Sequence, residues 1–162
     1  MSNVLIISAT MGTNYILAKN IKTMLSIKNE VISLQNYSMP IYLPNLKKID
    51  KAPICELSQK FKQANGLIFC APEYNGGSPP ILTNIITWLS VSTDNFRELF
   101  YNKRALIGTH SGGAGARFLS TFRIQLEHLG VIVFPRTIMV NSSKPFNEKS
   151  VKTILDDFIK IL

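Results

Sequence analysis

Short apolar runs alternate with amphipathic segments along this chain of 162 residues, and this alternation limits the folds that the chain can adopt. The runs predict five strands at 4–7, 30–34, 66–71, 104–109 and 131–140, the last interrupted by Pro135. Apolar residues at helical spacing predict helices over 17–25, 53–65, 81–90, 118–129 and 151–159. The regular exchange of strand and helix indicates an α/β fold, a doubly wound parallel sheet with helices on both faces.

The loop at 71–80 joins the third predicted strand to its helix and has an unusual composition. Its sequence, A-P-E-Y-N-G-G-S-P-P, combines glycines, which widen the choice of backbone angles, with prolines, which restrict it. Ser78, followed by Pro79 and Pro80, predicts a capped helix start. We expect a stiff loop with its main-chain N–H groups facing outward, at the sheet edge where open α/β folds bind ligands.

A second loop, S-A-T-M-G-T-N at 8–14, follows the first strand and opens the first helix. Free main-chain N–H groups and the positive end of a helix dipole attract anions at such a position, and hydroxyl groups add donors. The loop has neither the Gly-Lys-Ser/Thr of a Walker loop nor the G-x-G-x-x-G of a dinucleotide site. Phosphate binding is therefore one interpretation, and a plain helix cap at Thr13 or Asn14 is the other.

A third loop, H-S-G-G-A-G-A-R at 110–117, follows the fourth predicted strand. Three of its residues within a stretch of four are glycines, which bring bare backbone to the carboxyl edge of the sheet. These glycines either admit a ligand close to the main chain or only mark a turn.

The net charge of +8 argues weakly for anionic ligands and not for nucleic acid. Basic residues cluster only at Lys47, Lys48 and Lys51, without the interleaved aromatic residues of an RNA-binding module. A diffuse positive surface favours small anions such as nucleotide phosphates. No apolar run approaches the ~20 residues of a membrane span, and the first strand follows Met1 without a basic leader. We expect no nucleic-acid or membrane partner and a cytoplasmic location.

The cysteine and histidine content predicts no metal site. Cys55 and Cys70 are far apart and fit no metal or redox motif, so we expect reduced thiols. The two histidines, His110 and His128, have no matching cluster of cysteines or carboxylates.

The motif P-E-Y-N-G at 72–76, with Leu82-Thr83-Asn84 and Trp88 after it, resembles the NADPH-dependent FMN reductase family. The family pattern is P-E-Y-N-x-x-x-P-x-x-L-K-N-x-x-D-W, and this chain has Thr83 for the lysine and Thr87 for the aspartate. The loop at 8–14 is similar to the family's phosphate loop, S-x-R-x-x-S-x-N. Thr10 stands in place of the arginine, and Asn14 comes one residue early.

The resemblance implies a flavodoxin-like sheet of strand order 2-1-3-4-5, in one domain over residues 1–162, with FMN held by the three loops. The residues implied at the FMN site are Ser8, Thr10, Met11, Gly12, Thr13, Asn14, Pro72, Glu73, Tyr74, Asn75, Gly76, Ser111, Gly112 and Gly113. Without the arginine, the FMN phosphate would rest on main-chain N–H groups and hydroxyls. Glu73, Asn75 and the N–H groups of 73–76 would contact the ring edge, and Ser111 to Gly113 would form the opposite wall.

The implied activity is an FMN-dependent NAD(P)H oxidoreductase, with NADPH or NADH as co-substrate and a quinone, flavin, azo compound or metal oxyanion as acceptor. Because hydride transfer is intrinsic to the two rings, we expect no catalytic side chain. The alternatives are a flavodoxin-type electron carrier and a family member that has lost FMN and acts as an interaction module. The family also implies a homodimer or homotetramer formed through the helix after the P-E-Y-N loop. Trp88 lies either in that interface or in the core of its own subunit.

Overall fold

The computed structural model describes residues 3–46, 49–92, 95 and 97–162, so Lys47 and Lys48 of the basic group lie outside the described residues. The strands are β1 (Asn3–Ser8), β2 (Lys28–Ser33), β3 (Gly66–Cys70), β4 (Arg104–His110), β5 (Ile132–Val133) and β6 (Ile138–Val140). The helices are α1 (Thr13–Met24), α2 (Ala52–Gln63), α3 (Pro80–Val91), α4 (Arg97–Phe100), α5 (Ala116–His128) and α6 (Glu148–Ile159). A 3₁₀ turn, Leu34–Asn36, follows β2.

The strands form one parallel sheet in the order β2-β1-β3-β4-β5, which confirms the predicted topology. Ser8 is in register with Cys70, and Cys70 with Gly108. The loops after β1, β3 and β4 therefore start side by side at one edge of the sheet. This edge is the place where a parallel α/β sheet binds ligands.

The predicted fifth strand at 131–140 is two short strands rather than one. Both β5 and β6 pair with β4, β5 at its start and β6 at its end. Pro135 lies between them and has no N–H group to donate to the ladder, so the chain leaves the sheet there and returns at Ile138. The return adds a fourth loop, after β6, to the carboxyl edge of the sheet.

Helices cover both faces of the sheet, as predicted, and each face has its own apolar core. Leu67 and Phe69 of β3 belong to the core under α2, α3 and α5, whereas Ile68 and Cys70 belong to the core under α1 and α6. Every residue of β3 is buried, as expected of a central strand between two helical layers. Among the described helices, none is long and apolar enough to cross a membrane.

Candidate functional site

The N-terminus of α1 is open toward the sheet edge. Gly12 is the N-cap residue, with φ of 107°, and the helix has no side-chain cap. The first helical hydrogen bond runs from the Ile16 N–H to the Gly12 carbonyl at 3.0 Å, so the N–H groups of residues 13–15 have no partner within the helix. Apart from Gly12 and its two chain neighbours, no described residue has an atom within 4 Å of the point that a Cβ on Gly12 would occupy. An anion has room to approach these N–H groups, as in the predicted phosphate site.

Two of the predicted phosphate-loop residues face inward instead. Ser8 is fully buried, and its hydroxyl donates to the Thr10 carbonyl at 2.8 Å. The Asn14 side chain is 1% exposed; its Nδ2 donates to the His110 carbonyl and its Oδ1 accepts from the His110 N–H, both at 2.8 Å. These residues fix the loop and bind it to the end of β4. Because Gly12 is the N-cap, the alternative of a helix cap at Thr13 or Asn14 is wrong.

The outward part of this first loop consists of Thr10, Met11, Gly12 and Thr13. The Met11 N–H donates to Oε1 of Gln35, in the 3₁₀ turn after β2, while the Met11 side chain is 46% exposed. Sequence reasoning missed Gln35. Its position directly after the carboxyl end of a strand was the signal that would have found it.

The P-E-Y-N-G loop is a two-residue hairpin. The Tyr74 N–H donates to the Gly77 carbonyl at 3.0 Å, and the Gly77 N–H donates to the Tyr74 carbonyl at 2.9 Å. Asn75 and Gly76 have φ of 51° and 76°, the positive values of a type I′ turn. The Glu73 N–H donates to Oγ of Ser111 at 2.8 Å. The prediction that the main-chain N–H groups of this loop face outward is therefore wrong for Glu73 and Tyr74, whose N–H groups form hydrogen bonds within the protein.

Glu73 binds the second loop to the third. Its Oε2 accepts from the Phe118 N–H at 3.0 Å, at the third position of α5, a helix whose N-cap residue, Gly115, supplies no side-chain bond. Ser111 is 9% exposed, and its hydroxyl lies 2.8 Å from that of Thr109. Glu73 and Ser111 were both predicted to contact FMN, but in the structure their hydrogen bonds hold the second and third loops together.

Most of the remaining predicted positions of the second and third loops lie at the surface of the site. Tyr74 is 49% exposed. Apart from each glycine and its chain neighbours, no described residue has an atom within 4 Å of the point that a Cβ on Gly112 or Gly113 would occupy. The Arg117 side chain packs against the hairpin: its Cδ lies 3.3 Å from the point that a Cβ on Gly76 would occupy. Arg117 was not among the predicted site residues. Pro72 is buried below the hairpin.

The helix start after the second loop differs from expectation. The N-cap residue of α3 is Pro79, without a side-chain bond, so the prediction of Ser78 as the cap is wrong; Pro80 occupies the first helical position. Cys70, directly below the loop, is fully buried, and burial raises the pKa of its thiol to about 12. A neutral buried thiol is a poor nucleophile. Both cysteines are free.

A cleft of about 490 Å³ opens between the first loop, the third loop and the loop after β6. Its lining residues are Thr13, His110, Ser111, Gly112, Val140, Asn141, Ser142, Pro145 and Phe146. Three of them, Thr13, Ser111 and Gly112, were predicted from the sequence, and the contribution of the loop after β6 was not. The cleft is of the size typical of small-molecule sites.

The motif residues of α3 hold a separate segment in place. Asn84 accepts from the Tyr42 N–H and donates to the Pro40 carbonyl, both at 2.9 Å. The Trp88 Nε1–H donates to the same carbonyl at 2.8 Å, and its ring meets the Tyr42 ring edge-on at a centroid distance of 5.1 Å. Trp88 is only 4% exposed, so it lies in the core of its own subunit. Of the two interpretations, this excludes Trp88 as an interface residue.

Residues 2–145 match the sequence model of the NADPH-dependent FMN reductase family. The chain belongs to this family. The match includes β1, the hairpin loop and the glycine-rich loop after β4, which form the site described above. The prediction of this family from the P-E-Y-N-G motif is confirmed.

Several solved structures share the fold of this FMN reductase family member. FerB, a flavoenzyme NAD(P)H:(acceptor) oxidoreductase from Paracoccus denitrificans, matches with a TM-score of 0.81 and 18% identity over 99% of this chain and 96% of its own. An oxidoreductase from Corynebacterium diphtheriae matches with a TM-score of 0.77 and 13% identity, over 99% and 96%. A flavodoxin, WrbA-like protein from Agrobacterium tumefaciens matches with a TM-score of 0.68 and 12% identity, over 99% of both chains. At these identities the likeness establishes the flavodoxin-like fold.

Proposed function

We propose that the protein is an FMN-dependent NAD(P)H oxidoreductase that reduces a small acceptor. The observation that carries the proposal is the uncapped N-terminus of α1 at Gly12, at the same sheet edge as the hairpin and the open glycines of the third loop. Unpaired N–H groups at a helix start suit a phosphate, and exposed backbone beside them suits a planar ring. The described residues therefore fit FMN, although the side chains of four predicted contacts, Ser8, Asn14, Glu73 and Ser111, form hydrogen bonds inside the protein.

Bound FMN would supply the redox chemistry, since its ring takes hydride from a reduced nicotinamide and passes electrons onward. The N–H groups of α1 and the Thr13 hydroxyl would bind the phosphate. The N–H groups of Asn75 and Gly76, with the Asn75 side chain, would donate to the ring edge where negative charge develops on reduction. Gly112 and Gly113 would let the opposite wall approach closely, because neither has a side chain.

The proposed acceptor is a quinone, flavin, azo compound or metal oxyanion, and the proposed co-substrate is NADPH or NADH. The net charge of +8 supports the attraction of anionic nucleotides and oxyanions. It argues against the flavodoxin-type carrier, which needs a charged face complementary to its redox partner, most often an acidic one.

We further propose that the active form is a homodimer or homotetramer that pairs through α3 and the segment at 37–46. Asn84 and Trp88 hold Pro40 and Tyr42 against α3. The same segment leaves Ile41 79% exposed and Leu43 56% exposed. Two large apolar side chains held outward on a fixed segment are suited to burial against a second copy.

The activity is tested by titrating purified protein with FMN, followed by NADPH and NADH oxidation with a quinone or free flavin as acceptor. We expect a bound-flavin absorbance spectrum and turnover that depends on the acceptor. Bound FMN without turnover would favour the electron carrier, and failure to bind FMN would favour the interaction module. Either of these results would contradict the proposed oxidoreductase.

A further inference from the structure

We propose that the His110 side chain binds the phosphate ester of FMN, an inference that rests on the proposed function. The first loop offers no positive side chain, since residues 8–14 are all uncharged. Of the nine described residues that line the cleft of about 490 Å³, His110 is the one whose side chain can carry a positive charge. The cleft also includes Thr13, the first residue of α1, so the imidazole and the open helix start share one space.

Strand geometry directs the His110 ring to the side of the sheet on which α1 lies. Successive side chains of a strand point to opposite faces. The Thr109 side chain points toward α5, because its Cγ2 lies 2.7 Å from the point that a Cβ on Gly115 would occupy. His110 therefore points to the other face, where Leu17 and Ile21 of α1 form part of the core. His110 as a residue is only partly buried and lines the cleft.

The position of His110 is fixed by its neighbours rather than by its own ring. Both hydrogen bonds from the Asn14 side chain go to main-chain atoms of His110, at 2.8 Å each. We call these two hydrogen bonds the Asn14–His110 clamp. Because Asn14 is in the first turn of α1, the clamp holds the backbone of His110 at a set distance from the helix start. Removal of the imidazole leaves this clamp intact, and variants at position 110 are expected to fold.

A phosphate dianion in this space would receive three kinds of donor. The first kind is the set of main-chain N–H groups at the start of α1, which lie at the positive end of the helix dipole. The Thr13 hydroxyl and the imidazole N–H are the two side-chain donors. Such contacts to a charged group are stronger than neutral ones. The arrangement predicts that His110 separates FMN from riboflavin, which has the same ring and no phosphate.

The test compares the dissociation constants of FMN and riboflavin, measured by quenching of flavin fluorescence in apoprotein. We expect His110→Ala to weaken FMN binding by about tenfold or more, the loss expected for one hydrogen bond to a charged group, and to leave riboflavin binding unchanged. His128→Ala, at the exposed end of α5, is the matched control and should change neither constant. Lys144, in the turn after β6, is a basic residue that could bind the phosphate instead of His110. Lys144→Ala should leave the preference for FMN over riboflavin intact.

Three results would overturn the inference. The first is an unchanged FMN affinity in His110→Ala, and the second is an equal loss of FMN and riboflavin, which would indicate a structural role. The third is loss of the FMN preference in Lys144→Ala instead. Each leaves the proposed function standing, because the wild type still binds FMN. If the wild type binds neither flavin, the proposed function fails as well.

Discussion

Gly76 and Gly77 are neighbours in the hairpin, but only one of them needs to be glycine. Gly76 has φ of 76°, and a Cβ there would lie 3.3 Å from Cδ of Arg117. Gly77 has no positive φ, and a Cβ there would meet only the Tyr74 carbonyl at 4.0 Å. The turn requires positive φ at Asn75 and Gly76, and both residue types tolerate it.

We predict that Gly76→Ala destabilises the protein by about 1–2 kcal/mol, the cost of a left-handed backbone for a residue with a Cβ. It should also weaken FMN binding, because the Gly76 N–H belongs to the turn that would be distorted. Gly77→Ala is the control and should change both quantities little. Urea unfolding and FMN titration measure the two effects, and equal destabilisation by both substitutions would contradict the turn assignment.

At the scale of whole elements, much of the architecture was predictable from the sequence. The apolar runs predicted the strands and their parallel sheet because burial on both faces requires continuous apolar sequence. The Pro135 interruption was visible, but its result was not, since pairing of both halves with β4 depends on contacts made by a distant strand. The loop after β6 was therefore missing from the predicted site.

The site was predicted at the level of loops and less well at the level of atoms. The Asn14–His110 clamp joins residues 96 positions apart, and no local pattern indicates it. The same holds for Glu73, which the motif implied as a ring contact and which also accepts from the N–H of Phe118. A motif fixes which residues recur, whereas long-range hydrogen bonds decide which of their atoms remain free for a ligand.

The pairing of α3 with the segment at 37–46 leads to a prediction about assembly. We expect Ile41→Lys combined with Leu43→Lys to shift the protein to monomers, because two charges would be buried without partners in the proposed interface. Ile124→Lys is the control, since Ile124 is 66% exposed on α5 and belongs neither to α3 nor to the segment at 37–46. Sedimentation at several concentrations measures the assembly state. Dissociation by the Ile124 substitution alone, or by neither, would contradict the proposed interface.

The molecule as a whole is expected to lose stability in alkali because buried acidic groups are held neutral. Burial raises the pKa of Cys70 to about 12, and burial with the hydrogen bond to Glu56 raises the pKa of Tyr37 as well. A group whose pKa is higher in the folded state stabilises the fold fully below its unfolded pKa. That contribution is lost as the pH rises toward the folded value. For Cys70 the loss begins near the ordinary thiol pKa of 9.0 and continues to about 12.

We predict that the free energy of unfolding falls between about pH 9 and about pH 12, with each buried group contributing at most about 1.4 kcal/mol per pH unit. Cys70→Ala should lower stability at pH 8 through lost packing but give a shallower decline in alkali. Urea unfolding across this range measures the slope. A slope in Cys70→Ala equal to that of the wild type would show that the thiol is not the titrating group.

The contacts of Glu73 bear on attempts to transplant this loop into another scaffold. The Glu73 N–H donates to the Ser111 hydroxyl, and the Glu73 carboxylate accepts from the Phe118 N–H at the start of α5. The hairpin, the loop after β4 and the start of α5 therefore form one hydrogen-bonded unit. A graft limited to residues 72–77 would leave an acidic side chain without its donor and a helix without its cap. Engineering that exchanges specificity among relatives should therefore move 72–77 and 109–118 together.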